Sequence, residues 1–178
     1  MMELYFDEIP SAIGILLLVT EDTRLCALDY AGYEQRMIEL LKPRYGDVRL
    51  KKSRDPCGFS SRMRAYLDGE YSALDEIPIS TGGTPFQQQV WATLRTIPPG
   101  TVMTYSEMAA KLGLPRAFRA VGAANALNPI AIVVPCHRLV GANGSLTGYA
   151  GGLERKRWLL EHEGVEVARL NRDSLRRE

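Results

Sequence analysis

Five apolar residues held between two prolines, Ile130-Ala-Ile-Val-Val134 bounded by Pro129 and Pro135, constrain this chain more than any other stretch. β-Branched side chains at most of these positions predict a short buried strand. Pro135 ends it, because proline has no N–H and a fixed φ. Cys136 and His137 follow at once, at the expected strand end. A thiol reacts as its thiolate, so a cysteine beside an imidazole suits nucleophilic chemistry, whereas a lone buried cysteine is ordinarily structural. In an extended chain successive side chains point apart, so useful contact between the two needs a bend or a bridging water.

At 178 residues the chain can hold one large domain or two small ones with their own cores. Three cysteines with no CxxC pair argue against both a disulfide framework and a zinc site, and only His137 and His162 could add imidazole ligands. The apolar run 13–19 is too short to cross a bilayer. Glu3, Asp7 and Glu8 stand where an export signal would be basic, so a cytoplasmic protein without membrane contact is expected. Charge is unevenly spread. Residues 1–83 hold 10 Lys and Arg against 14 Asp and Glu, and residues 84–178 hold 12 against 7. Either only the second half meets a polyanion, or the charge is merely scattered and solvated.

Residues 3–30 read as two or three antiparallel strands turning at Glu21-Asp22. A helix follows from Tyr33 to Tyr45, with Pro43 marking its end, then a possible strand at Val48–Leu50 and a short helix from Ser60 to Asp68. Nothing in this half forms a catalytic constellation. It reads as a small α+β support domain, closed by a linker at Thr81-Gly-Gly83. Beyond it, Thr84-Pro-Phe-Gln87 is a capping box with proline at the first helical position, and Thr104-Tyr-Ser-Glu107 is a second box. Helices from Tyr105 to Leu112 and from Arg116 to Leu127, joined by a tight turn at Gly113, carry the helix-turn-helix pattern.

The second of these helices is built mostly of very small residues, which permits close approach to another backbone. Arg119 is the long cation near its start and reads either as a surface arginine or as a projecting contact. Tyr105 reads equally as a hydrogen-bond donor or as core. Gly148 to Gly152 lie in a glycine-rich loop. The last helix, Leu153 to Glu163, is expected to bury Leu153, Trp158, Leu159 and Leu160 and to expose Arg155, Lys156 and Arg157. Glu163 alone reads better as a solvated carboxylate than as a relay partner for His137. The polar, basic stretch 169–178 is expected to be frayed.

Taken together, Asn128-Pro129 before Pro135-Cys-His-Arg138, Gly148-Tyr-Ala-Gly-Gly152 and Trp158-Leu-Leu-Glu-His-Glu-Gly164 resemble the O6-alkylguanine-DNA alkyltransferases. The likeness runs almost continuously from Thr84 to Gly164 and more loosely through the first 83 residues. It implies an α+β protein with a ribonuclease-H-like N-terminal domain (1–83), a mostly helical C-terminal domain (84–168) with a winged-helix-like helix-turn-helix and the active cysteine, and a polar tail (169–178). It also implies a suicide protein that takes a methyl or larger alkyl group from O6 of guanine, and from O4 of thymine, in duplex DNA.

By that resemblance Cys136 is the acceptor, His137 its base through a water, and Glu163 the group that orients His137. Asn128 holds the active turn, and Tyr105 hydrogen-bonds the leaving guanine. Arg119 fills the gap left by the flipped base, and Thr104, Ala120, Gly122 and Ala123 line the DNA face in the minor groove. Pro135, Leu139, Tyr149, Ala150 and Gly151 form the base pocket, with the Leu139 carbonyl and the Ala150 N–H reading the guanine edges. No cofactor, metal or protein partner is implied, and the protein is expected to act as a monomer. A DNA-binding module that only recognises alkylguanine, or a Cys-His hydrolase, remains the alternative from the residues themselves.

Overall fold

A computed structural model describes residues 1–170. They form two compact units, one of residues 1–82 together with 129–133, the other of residues 83–128 together with those from 134 onward. The fold is α+β.

In the first unit, strands β1 (Met2–Ile9), β2 (Leu16–Glu21), β3 (Arg24–Tyr30) and β4 (Val48–Lys52) form one sheet in the order β3-β2-β1-β4. The first three pair antiparallel, β2 and β3 through a tight turn at Asp22–Thr23, one residue beyond the expected Glu21–Asp22, and β4 joins β1 in parallel. β2 is buried almost throughout, which explains why it reads as a continuous apolar run without alternation. Helix α1 (Glu34–Tyr45) lays Met37 and Leu41 on Leu4, Leu17, Val19, Cys26 and Ala27. Pro43 sits inside α1 and does not end it. Helix α2 (Phe59–Leu67) is tied to β1 by Asp7, which accepts from the Ser60 hydroxyl and the Asp55 N–H. From α1, Arg44 donates to the carbonyls of Cys26 and Ser80 and so fixes the end of this unit.

The expected strand at 130–134 does not form. Ile130 makes a single bridge to Leu28, and Ile132 turns with a φ of 71°. Bracketing prolines deprive the segment of two ladder donors, and a left-handed isoleucine breaks the pleat. An apolar run of this length marks burial, not conformation.

The second unit opens with helix α3 (Pro85–Leu94), whose capping box is complete: Thr84 accepts from Gln87 N–H and the Gln87 side chain accepts from Thr84 N–H. Gly83, with a φ of +84°, has no room for a Cβ beside the Trp91 ring. Trp91 in turn donates its indole N–H to the Ala124 carbonyl, joining α3 to helix α5 (Phe118–Ala126). Between them lies helix α4 (Tyr105–Lys111), where only half of the second expected box exists: Thr104 accepts from Glu107 N–H. Two-residue strands β5 (Met103–Thr104) and β6 (Leu139–Val140) pair in parallel. That small ladder sets the start of α4 beside the chain leaving Cys136.

Helix α6 (Leu153–His162) departs from expectation at four side chains, with Arg155 and Trp158 only half-buried. Leu153 is 49% exposed, and Lys156 is fully buried. A turn of helix begins at Val167 and includes Arg169 and Leu170; the remainder of the expected frayed tail lies outside the described residues.

Candidate active site

Cys136 to Arg138 form a 3₁₀ turn, entered by the Cys136 N–H bonding to the Val134 carbonyl and closed by Arg138 N–H to Pro135. The turn supplies the bend that an extended chain lacks. Two side chains on α5 and its end hold it from outside: Asn128 donates to the Val134 carbonyl at 2.8 Å, and Asn125 donates to the Cys136 carbonyl at 3.3 Å. The Cys136 residue is 6% exposed.

Behind the turn lies a buried ionic cluster. His137 Nε2 stands 2.9 Å from Glu163 Oε2, and the Arg138 guanidinium clasps both oxygens of the same carboxylate at 2.9 and 2.8 Å. A third donor of Arg138 reaches the Ile97 carbonyl. Burial works to raise the Glu163 pKa, but the hydrogen bonds from Arg138 and His137 outweigh it, and the carboxyl lies well below the usual range. Burial also lowers His137, against the pull of Glu163, so the imidazole is neutral at physiological pH. Its Nε2–H donates to Glu163, which leaves Nδ1 as the acceptor. That atom is buried without a protein hydrogen-bond partner.

Lys156 threads through the opposite wall. Its Nζ donates to the carbonyls of Leu139, Thr147 (2.9 Å) and Gly148 (3.4 Å). Burial brings its pKa down to about 8, while the field of Cys136 opposes the change. Tyr105, at the first turn of α4, donates to the Thr147 carbonyl at 3.0 Å. Its ring lies on Gly122 of α5, where an added Cβ would sit 3.8 Å away.

Comparison with known proteins then decides the family. A family model described as the 6-O-methylguanine DNA methyltransferase DNA-binding domain matches residues 85–165. The methylated-DNA–protein-cysteine methyltransferase of Shigella flexneri is 49% identical over 168 residues, covering 92% of this chain and 98% of its own. The chain belongs to this methyltransferase family. The solved O6-methylguanine methyltransferase of Mycobacterium tuberculosis superposes with a TM-score of 0.73 at 38% identity, over 90% of this chain and 92% of that one. A structure of the same organism's protein in complex with DNA gives 0.73 at 36% identity, over 96% and 97%.

Within a family of this kind the placement of each expected residue matters. The structure brings Cys136, His137, Glu163 and Asn128 to one turn and its immediate support, and it joins Tyr105 to the neighbouring 147–148 loop. Glu163 is 4% exposed, so the solvated carboxylate favoured by its sequence context is overturned. Pro135, Leu139 and Gly151 are buried, Tyr149 is half-buried and Ala150 exposed. The Leu139 carbonyl spends one lone pair on Lys156. Arg119, Ala120 and Ala123 lie exposed along α5, with Gly122 and Thr104 half-buried. Thr104 is also the cap of α4.

Sequence reasoning missed Lys156 and Asn125. Both carried a signal. Lys156, Leu159, Leu160 and Glu163 share one helical stripe, as do Val121, Ala124, Asn125 and Asn128, and the apolar members of each stripe mark it as inward. Among the described residues no group of three or more His, Cys, Asp and Glu side chains could hold a metal ion, and no helix is long and apolar enough to cross a membrane.

Proposed function

We propose that this protein repairs duplex DNA by moving an alkyl group from O6 of guanine onto Cys136, once per molecule. The observation that carries this reading is the 3₁₀ turn that sets Cys136 beside a neutral, carboxylate-oriented His137 with an available Nδ1.

A free thiol, with a pKa of about 8.5, is only a few per cent ionised at pH 7. A water between Cys136 and His137 Nδ1 passes the thiol proton to the ring, and ionised Glu163 stabilises the imidazolium so formed. The thiolate attacks the alkyl carbon. The S–C bond forms as the C–O6 bond breaks, and the electron pair of that bond passes into the purine. Tyr105 donates a hydrogen bond to the purine as this charge develops, and the proton lost by Cys136 ends on guanine. No oxidant, metal or cofactor enters this balance. A thioether has no easy return path, so the protein is consumed.

O6 lies inside the base stack, so the nucleotide must flip out at a cost of roughly a few kcal/mol. We assign Arg119 to the vacated space, with Ala120, Gly122, Ala123 and Thr104 against the minor groove, where small side chains admit the backbone closely. On this reading α4 and α5 act as a helix-turn-helix of winged type, and residues 1–83 as a ribonuclease-H-like support. Pro135, Leu139, Tyr149, Ala150 and Gly151 wall the base pocket, Asn128 locks the turn, and the protein works as a cytoplasmic monomer needing no protein partner. Extension to O4 of thymine follows from the same displacement.

The test is intact mass after mixing with a duplex bearing one O6-methylguanine, beside a Cys136→Ala control. The expected result is a gain of ~14 Da on the peptide holding Cys136, stopping at one per molecule and absent in the control. Tight binding without a mass gain would replace transfer by recognition alone.

A further inference from the structure

We propose that Phe118 is a second wedge beside Arg119: its ring enters the minor groove and stacks on the base step next to the vacated position. The inference rests on the DNA reading given above and adds to it an apolar contact that the cations do not supply.

Of the four phenylalanines, Phe59 is buried and Phe6 and Phe86 are half-buried, whereas Phe118 is 44% exposed. One exposed ring is ordinary on any protein surface. Its setting is not. Between Glu107 and Glu154 the sequence holds no carboxylate, and Lys111, Arg116 and Arg119 are all exposed. A surface of one sign draws a polyanion. Phe118 lies in the chain between two of those arginines, on the helix assigned above to the minor groove. A ring so placed fits a nucleic-acid partner, whose bases offer π faces between rows of phosphate.

The backbone that carries the ring is fixed. Leu114 N–H bonds to the Ala109 carbonyl at 2.9 Å and Ala117 N–H to the Leu114 carbonyl at 2.8 Å, which sets the turn that delivers Phe118 as the first residue of α5. A preorganised contact loses little entropy on binding. Besides Phe118 and Arg119, the exposed residues of α5 are Ala120, Ala123 and Ala126, so the two long side chains stand at one end of a helix that otherwise presents methyl groups. They do not share one gap, because consecutive helical residues lie about 1.5 Å apart along the axis and about 100° apart around it. With Arg119 in the vacated space, Phe118 meets the adjoining step. There an apolar side chain parts two stacked bases and covers one of them, as minor-groove wedges do.

The experiment measures binding of a short duplex with one O6-methylguanine to the Cys136→Ala protein, which cannot take the methyl group. Adding Phe118→Ala should weaken binding about tenfold. The slope of log affinity against log salt should stay the same, because a phenyl ring displaces no counterion. Phe118→Trp should keep the affinity, and its added indole emission, read as the difference from the protein without that substitution, should be quenched on binding as the ring stacks on a base. Unchanged affinity in Phe118→Ala, or an indole emission that DNA leaves unaltered, would overturn the wedge and leave Phe118 in solvent. A loss that comes with a shallower salt slope would overturn it too, since phosphate contacts would then account for the change. Should the alanine variant fail to fold, Phe118→Leu takes its place under the same outcomes, because leucine keeps an apolar side chain and lacks the ring face. Failure of the Cys136→Ala protein itself to bind the duplex sinks the DNA reading, an outcome distinct from every arm above.

Discussion

The two units bury different things. In the first, an apolar sheet and helix core holds Asp7, Thr20, Asp29 and Ser60 as scattered buried polar residues. In the second, Asn125, Asn128, His137, Arg138, Lys156 and Glu163 are buried, and, apart from the bond of Arg138 to the Ile97 carbonyl, the hydrogen bonds described above converge on residues 134–148 or on one another. A buried ion pair rarely stabilises a fold more than well-packed apolar residues of the same volume. The second unit therefore carries a stability cost, and that cost is concentrated around the cysteine. The first unit builds for stability, and the second holds a reactive geometry. Both tryptophans, Trp91 and Trp158, lie in the second unit, so indole fluorescence follows that unit alone.

The sharpest way to break this contrast is Glu163→Gln. The substitution keeps the shape and removes the charge that compensates Arg138, and loss of one partner of a buried pair costs about 3–5 kcal/mol. Urea unfolding followed by tryptophan fluorescence should show this loss, and methyl transfer should fall with it. The acid limb should change too. Because the Glu163 pKa is lowered in the folded state, its contribution is complete above the ordinary carboxylate value of about 4.3 and is lost as pH falls below it. The variant should lack that part of the pH dependence. An unchanged midpoint at neutral pH would mean that the cluster does not concentrate the cost around the cysteine.

Lys156 gives the next effect, with stability again rising with pH but in the alkaline range. Its folded pKa is about 8 against an ordinary value of 10.5, so the unfolded chain binds the additional proton between those pH values. Stability from this group should therefore rise as pH increases from about 8 to about 10.5, by up to ~3 kcal/mol in all. Comparing urea midpoints of the parent and Lys156→Met across that range isolates the change, since other titrating groups are shared. A constant difference would show that the three carbonyls fully offset the burial of the ammonium.

Local chemistry was legible in the sequence where it is decided locally. The capping box at Thr84–Gln87 and a turn near Asp22 need only their own few residues; the box forms as expected and the turn forms one residue late, at Asp22–Thr23. The strand expected at 130–134 failed because apolarity reports burial, whereas the left-handed Ile132 is imposed by its surroundings. Glu163 was misjudged from its own context because its burial depends on Arg138, 25 residues away. Lys156 was misjudged by residue type, although its stripe with Leu159 and Leu160 pointed inward. The reading proposed for Cys136, His137 and Asn128 came from a motif whose geometry no periodicity encodes.

The smallest expected effect sharpens the comparison from the other side. Asp29 and Arg36 form the first unit's ion pair at 2.9 Å, with the arginine side chain 25% exposed. A quarter of the arginine side chain stays in water, so the pair should contribute less than the fully enclosed Glu163 cluster, about 1 kcal/mol. Arg36→Met should lower the unfolding midpoint slightly when followed by far-ultraviolet circular dichroism, less so in high salt, and leave methyl transfer untouched. Asp29 also accepts the Tyr30 N–H, which keeps its carboxylate engaged after the arginine is gone. A loss as large as that of Glu163→Gln would erase the distinction between the units, because it would place a critical buried charge in the scaffold as well as at the cysteine.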